Sequence, residues 1–194
     1  MRLTSPVYSV LVVADADNFK SNIREFLPES TFSPVVFADT VDEAKRLSTE
    51  RFFDLVIVNG PLKEDNAIDF SKTVVYGEST ALMYIISHSL YDQARDFLSS
   101  HGIILLPRPA GPKTLTQAIN DLCAMRERLR RLEKKNISLE SRMKEIRLEN
   151  RAKLLLIEKK GMSENEAHKY LEKQAMDNSI SKSKFAELLI GELS

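Results

Sequence analysis

Residues 10–17 read Val-Leu-Val-Val-Ala-Asp-Ala-Asp, a continuous apolar run that ends in acidic side chains. Four apolar residues in succession are typical of a parallel strand that is buried on both faces. A second run of this kind, residues 55–58, is preceded by Asp54 and followed by Asn59. We therefore predict that these two runs are central strands of one parallel sheet, with polar residues at their ends.

Short apolar runs alternate with longer amphipathic stretches as far as residue 106. Repeated strand–helix units place helices on both faces of a parallel sheet, through right-handed crossovers. Ligand sites in such sheets lie at the carboxyl ends of the strands, so the residues after each run are the candidates for a site. The predicted strands are residues 10–13, 34–38, 55–58, 81–86 and 103–106, and the predicted helices are residues 18–27, 41–49 and 91–100.

The residues at these strand ends resemble those of the receiver domain of response regulators. In that family, acidic residues after the first strand hold Mg²⁺, an Asp at the end of the third is phosphorylated, the fourth ends in Thr or Ser, and the fifth ends in Lys-Pro. The resemblance implies a receiver-like (flavodoxin-like) doubly wound parallel α/β sheet over residues 1–121. The corresponding residues here are Ala14, Asp15, Asn59, Ser87 and Arg108.

The matched residues keep the order of the family but not its chemistry. Asn59 is a neutral amide and cannot form an acyl phosphate, and Ala14 removes one oxygen ligand for Mg²⁺. Arg108 keeps a positive charge, which we expect to form an ion pair with Asp15. We predict a degenerate phosphoacceptor pocket that needs no metal and no cofactor. The alternative is that a nearby acidic residue is phosphorylated instead, namely Asp54, Glu64 or Asp65.

A heptad pattern of apolar residues begins at Leu122, and no Gly or Pro interrupts residues 114–160. Two core a positions hold Asn136 and Asn150, and a buried Asn is satisfied by its own counterpart in a parallel, in-register dimer. A single long helix that packs against its own domains is the alternative. We predict a coiled-coil linker over residues 122–151, which dimerises through Leu129, Leu132, Asn136, Leu139, Met143, Ile146 and Asn150.

The C-terminal segment contains signals for two more helices. Gly161 is expected to end the long helix, and Ser163 to Glu166 form a capping box that begins the next one. Polar residues 177–182 separate that helix from a last one, with Ser179 or Ser181 as its cap. We predict a C-terminal three-helix bundle, residues 152–194, whose first helix continues the coiled coil.

A set of spaced residues extends through the C-terminal segment: Ala152-Lys153, Gly161-x-Ser163-Glu164-x-x-Ala167, Leu171, Ala175-Met176 and Ala186. Through these elements, residues 150–192 resemble the ANTAR domain. Leu154 departs from the family, which commonly has Gly there. The resemblance implies a homodimer that binds tandem RNA hairpins with short loops and thereby prevents a transcription terminator from forming, which is transcription antitermination. It also implies an arrangement of receiver domain, coiled coil and ANTAR domain.

The distribution of charge agrees with a polyanionic partner for the second half of the chain. Residues 1–125 contain 11 Lys/Arg and 16 Asp/Glu, whereas residues 126–194 contain 17 and 12, so the net charges are −5 and +5. Loop bases are held by basic and aromatic side chains. The alternative is that these charges only solvate a small bundle. The predicted RNA contacts are Lys153, His168, Lys169, Lys173, Lys182 and Lys184.

Several other classes of protein fit the sequence poorly. The single cysteine, Cys123, excludes an internal disulfide framework and suits a reducing cytoplasm, and residues 10–13 are too short to span a membrane. We expect no enzyme, because the sequence contains no metal-ligand cluster and no phosphate-binding Gly loop, and its three histidines lie in separate elements. The alternative to an RNA-binding regulator is a coiled-coil signalling or interaction protein that does not bind nucleic acid.

Overall fold

The computed structural model describes residues 6–60, 67–77 and 79–193 and divides the chain into two compact units, residues 1–133 and 134–194. Five parallel strands form one sheet in the order β2-β1-β3-β4-β5. This is the strand order of flavodoxin-like doubly wound folds, so the predicted fold class is confirmed. The strands are β1 (Tyr8–Val13), β2 (Phe32–Ala38), β3 (Leu55–Asn59), β4 (Ala81–Ser87) and β5 (Ile104–Arg108).

Seven helices accompany the strands in the described part of the chain. Helix α3 is not among the predicted elements, although Ala67, Phe70 and Val74 are buried and share the spacing of one helix face. Glu64 and Asp65 lie outside the described residues. The helices are α1 (Asp17–Arg24), α2 (Val41–Glu50), α3 (Ala67–Gly77), α4 (His88–Ser100), α5 (Pro112–Lys160), α6 (Glu164–Asp177) and α7 (Lys182–Leu193).

The sheet has a hydrophobic layer on each face because alternate residues of a buried strand point to opposite sides. Val56 and Val58 pack on the side of α2, α3 and α4. Leu55 and Ile57 pack on the side of α1 and the first turns of α5, where Leu122 is fully buried. The predicted start of the coiled coil, residue 122, therefore lies in the part of α5 that completes the receiver-like core.

Ion pairs attach the same part of α5 to the amino ends of β1 and β3. Asp54, just before β3, accepts hydrogen bonds from Arg126 Nε and Arg130 Nη2, both at 2.9 Å. Its second oxygen accepts from the backbone N–H and the hydroxyl of Ser9, both at 3.1 Å. Arg126 also donates to Glu133 at 3.1 Å. We call these five residues the Asp54 cluster.

The second unit is a three-helix bundle built from the end of α5, α6 and α7, as predicted. Gly161 ends α5 with a φ of +65°, a conformation that glycine adopts without a Cβ penalty. Both hydrogen bonds of the Ser163–Glu166 capping box are present. The Ser181 hydroxyl caps α7 by accepting from the Lys184 backbone N–H at 3.1 Å, so Ser181 is the cap. The buried core residues are Ala152, Leu156, Ala167, Leu171, Ala186 and Leu189.

Candidate nucleic-acid interface and degenerate receiver pocket

The residues matched to the receiver family lie together at the carboxyl edge of the sheet. Ala14 is buried directly after β1, and Asp15 beside it is exposed. Asn59, Ser87 and Arg108 are the last residues of β3, β4 and β5. Parallel pairing of these strands brings their ends to one edge, as the resemblance to the receiver family implied.

Arg108 contacts Asn59 rather than Asp15. Its Nη1 donates to the Asn59 side-chain oxygen at 3.2 Å, and Asn59 is only 3% exposed. The predicted ion pair between Arg108 and Asp15 is wrong: within the described part of the chain, Arg108 forms no ion pair. The hydroxyl of Ser87 is 3.1 Å from that of Ser89. The pocket thus joins a neutral amide to a guanidinium that pairs with none of the described carboxylates.

Lys20 neutralises two acidic residues close to the carboxyl ends of β1 and β2. The Lys20 ammonium donates to the carboxylates of Asp39 and Asp17. The hydrogen bond with Asp39 is the main reason why the pKa of Lys20 lies above its ordinary value. In residues 6–60, 67–77 and 79–193, no three His, Cys, Asp or Glu side chains are grouped so that they could hold a metal ion.

Asp54, the alternative phosphoacceptor, lies at the other end of β3 from Asn59. Both of its oxygens are engaged within the Asp54 cluster, and its side chain is 13% exposed. Burial by itself would raise the pKa of Asp54, but hydrogen bonds from Ser9 and Arg126 outweigh it and hold the pKa below its ordinary value. This carboxylate is a structural ion-pair partner.

Helix α6 carries three of the six predicted RNA contacts as exposed side chains. Ala167, Leu171 and Ala175 are buried, so the helix turns the opposite side to solvent. That side holds Lys169, Lys173 and Met176, and the exposed His168 lies at its margin, beside Ala175. We call these four residues the α6 outer face. Neither lysine forms an ion pair with a described carboxylate.

Met176 is a further candidate RNA contact. The sequence alone did not distinguish it from a residue of the hydrophobic core. It is 75% exposed, although the ANTAR resemblance placed it beside the buried Ala175. Its spacing from Lys173 and Lys169 by three and seven residues is the signal that assigns it to the outer face. Leu154, where the ANTAR domain commonly has Gly, is 57% exposed and leaves the bundle core uncrowded.

The other three predicted contacts are paired within the second unit. Lys153 has a side chain only 18% exposed and lies 3.4 Å from Glu164. Lys184 is 2.8 Å from Glu187, and Lys182 is 3.7 Å from Glu172. Exposed pairs of this kind contribute little and can be exchanged for a phosphate contact, but each exchange first breaks an existing pair.

Most of the predicted dimer residues form an exposed stripe on α5. Leu139, Met143 and Ile146 are 50%, 55% and 50% exposed, and Asn136 and Asn150 are exposed as well. In a coiled coil, apolar residues at heptad spacing are covered by the partner helix, so in one isolated chain they are expected to be partly exposed, as they are here. In the first unit, Leu132 is 50% exposed, whereas Leu129 is partly buried against the receiver-like core.

Each described helix is either too short or too polar to cross a membrane.

Comparisons with known proteins agree with this architecture. The family model of the ANTAR domain matches residues 138–190. The chain is 25% identical over 181 residues to the transcriptional regulatory protein PdtaR of Mycobacterium tuberculosis, an alignment that covers 93% of this chain and 88% of that protein.

Solved structures match the first unit. A response regulator receiver domain from Clostridium thermocellum shares 21% identity and a TM-score of 0.56, over 63% of this chain and 99% of the other. The chemotaxis response regulator CheY4 of Vibrio cholerae shares 19% identity and a TM-score of 0.52, over 60% of this chain and 98% of the other. Likeness at this level of identity shows the fold alone. The predicted resemblance is confirmed: residues 138–190, which match the family model of the ANTAR domain, follow a unit with the receiver fold.

Proposed function

We propose that this protein is a dimeric RNA-binding regulator that acts by transcription antitermination. The observation that carries the proposal is the ANTAR match over residues 138–190, together with the exposed and unpaired α6 outer face inside that match. Similarity over nearly the whole chain to a transcriptional regulatory protein supports the same role. We also propose that the role is regulatory rather than enzymatic and that the protein works in the cytoplasm.

The α6 outer face has the chemistry that unpaired loop bases require. Lys169 and Lys173 supply charge for phosphates, and His168 supplies an aromatic surface or a hydrogen-bond donor. Met176 adds an exposed apolar surface against which an unstacked base can pack. Lys153, Lys182 and Lys184 are secondary contacts in this proposal because each is already paired with a carboxylate.

The exposed stripe on α5 supports dimerisation. In a parallel dimer Leu139, Met143 and Ile146 are covered, and Asn136 and Asn150 each pair with their counterparts. Two α6 outer faces in one dimer then engage two hairpins of one RNA, and the second hairpin binds at a high effective concentration. Holding both hairpins folded prevents their strands from joining a competing terminator.

Phosphorylation of the receiver-like domain plays no part in this proposal. Asn59 cannot accept a phosphoryl group, so phosphate chemistry cannot bias a monomer–dimer equilibrium at that position. We therefore propose that RNA binding is constitutive or controlled by a signal other than phosphate.

The test is fluorescence anisotropy with a leader RNA that carries two short-loop hairpins. Changing Lys169 and Lys173 together to Ala should weaken binding at least tenfold without changing the dimer, whereas Glu172→Gln on the same helix should tighten it. Lys45→Ala, in the receiver-like unit, is the matched control and should have no effect. Wild-type protein that fails to bind at micromolar concentration would favour a coiled-coil interaction protein without nucleic acid.

Two further measurements separate paired from single-site binding. An RNA with one hairpin should bind much more weakly than the two-hairpin RNA, and equal affinities would contradict the paired mode. Affinity should also fall steeply between two salt concentrations because lysine–phosphate contacts release counterions, and the Lys173→Ala variant should show a shallower dependence.

A further inference from the structure

The receiver-like unit contains a cavity between α1 and the first turns of α5. It has a volume of about 600 Å³. Ile85 of β4 and Leu106 of β5, both buried, line its inner side, and Phe19, Phe26 and Leu115 line its walls. This volume is within the range of pockets that hold small ligands, and those pockets are also mainly apolar. We call it the α1–α5 cavity.

One cation faces this apolar cavity, and it forms no ion pair with a described carboxylate. Arg108 lines the cavity, and its only hydrogen bond in the described structure joins Nη1 to the neutral Asn59 amide at 3.2 Å. A guanidinium has five N–H donors, so others are available to a ligand. Because Arg108 is half-buried, water would screen its attraction for a bound anion less than at an open surface.

We propose that the α1–α5 cavity binds a small amphipathic carboxylate, with the carboxylate on Arg108 and the apolar body against the two phenylalanines. Arg108 can hold a carboxylate through two parallel hydrogen bonds. Filling the cavity would remove the surfaces of Phe19 and Phe26 from water.

The charge of the lining restricts the class of ligand. Arg108 is the only cation among the described residues that line the cavity, and Glu25 is an exposed carboxylate at its rim. A nucleotide or other polyanion would need several cations, and it would meet Glu25 as a repulsive neighbour. A ligand with one negative charge and an apolar body fits this lining, because the single half-buried guanidinium can pair with the charge and the apolar residues can contact the body.

Calorimetric titration of the full-length protein tests the proposal, with 1-naphthaleneacetate as the probe. Its neutral counterpart, 1-naphthaleneacetamide, has the same apolar body and lacks the charge. The carboxylate should bind with a dissociation constant below about 1 mM, and the amide at least tenfold more weakly. Equal affinity for the two compounds, or no binding of the carboxylate at its solubility limit, would overturn the proposal.

Variants locate the binding. Arg108→Gln should abolish the preference for the carboxylate, and Asn22→Trp, an exposed α1 position on the cavity lining, should weaken both compounds by narrowing the cavity. Arg46→Gln is the matched control, because Arg46 is an exposed arginine on α2 that pairs with Glu50, and it should bind like the wild type. Unchanged affinity and preference in Arg108→Gln would place the carboxylate elsewhere and refute the site.

Discussion

Arg126 Nε lies 2.9 Å from Asp54 Oδ1, although the two residues are 72 positions apart in the chain. The same oxygen accepts from Arg130, one turn further along α5. The Asp54 and Arg126 side chains are 13% and 6% exposed, so this is a largely buried ion pair, and Ser9, Arg130 and Glu133 provide its further hydrogen bonds. It sets the position of the long helix on the receiver-like sheet, at the opposite end from the degenerate pocket.

Changing Asp54 to Asn should destabilise the receiver-like unit by about 3 kcal/mol, because it removes the carboxylate that Arg126 and Arg130 share and leaves the buried Arg126 with only the partly exposed Glu133 as an ion-pair partner. Urea denaturation followed by circular dichroism measures the effect. Asp42→Asn, which removes an exposed pair with Lys45, is the control and should cost less than about 1 kcal/mol. A loss of similar size in both variants would show that the Asp54 cluster adds little to stability.

The contribution of Asp54 should depend on pH in a defined direction. Its pKa in the folded protein is below the ordinary value, so its stabilisation is present above the unfolded pKa of about 4 and disappears as pH falls through the folded pKa. The difference in unfolding free energy between wild type and Asp54→Asn should therefore shrink as pH falls from 6 to 3. A difference that stays constant over this range would contradict the role of the ionised carboxylate.

A charge placed on the exposed stripe of α5 should separate the dimer. Leu139→Asp should convert the protein to a monomer in light scattering at micromolar concentration, because two carboxylates would meet at a core d position. Ile137→Asp is the matched control, because Ile137 is 67% exposed on the same helix but lies outside the predicted seam. This variant should remain a dimer. Equal effects of both substitutions would show that the seam is assigned wrongly.

The two asparagines at a positions should favour a specific dimer at the expense of stability. Changing Asn136 and Asn150 together to Ile should raise the thermal midpoint and allow oligomers larger than the dimer. Differential scanning calorimetry and light scattering report the two effects. Native protein that is monomeric at micromolar concentration would remove the basis of this prediction.

Acetyl phosphate should not modify the protein. Asn59 is an amide, and Asp54 is engaged in the Asp54 cluster, so intact mass spectrometry after incubation should show no added phosphoryl group. The same treatment should leave affinity for the two-hairpin RNA unchanged. A stable gain of one phosphoryl group, or a several-fold tightening of RNA binding, would contradict a phosphate-independent regulator.

Local signals in the sequence predicted most of the fold. Continuous apolar runs identified β1, β3 and β4, and the Ser163–Glu166 capping box located the start of α6. The absence of Gly and Pro predicted the length of α5. Each of these features depends on residues close together in the chain, which is why it could be predicted before the structure was known.

Features that depend on distant residues were not predicted. A heptad pattern does not say which surface it contacts, and Leu122 turns out to pack in its own domain. Nor does sequence spacing reveal that Arg108 contacts Asn59 in preference to Asp15, or that three of the five predicted RNA-binding lysines pair with carboxylates. The resemblance to known families located the candidate site, and side-chain geometry ranked its residues.

The Asp54 cluster also has a consequence for biosynthesis. A ribosome makes Asp54 long before Arg126 and Arg130, so the nascent sheet holds an acidic group whose counter-charges do not yet exist. Domains usually complete folding in the order of synthesis. Here the receiver-like unit reaches its full stability only after the first turns of α5 have emerged from the ribosome. Its folding is therefore completed during synthesis of the helix that leads into residues 138–190, the segment that matches the ANTAR family model.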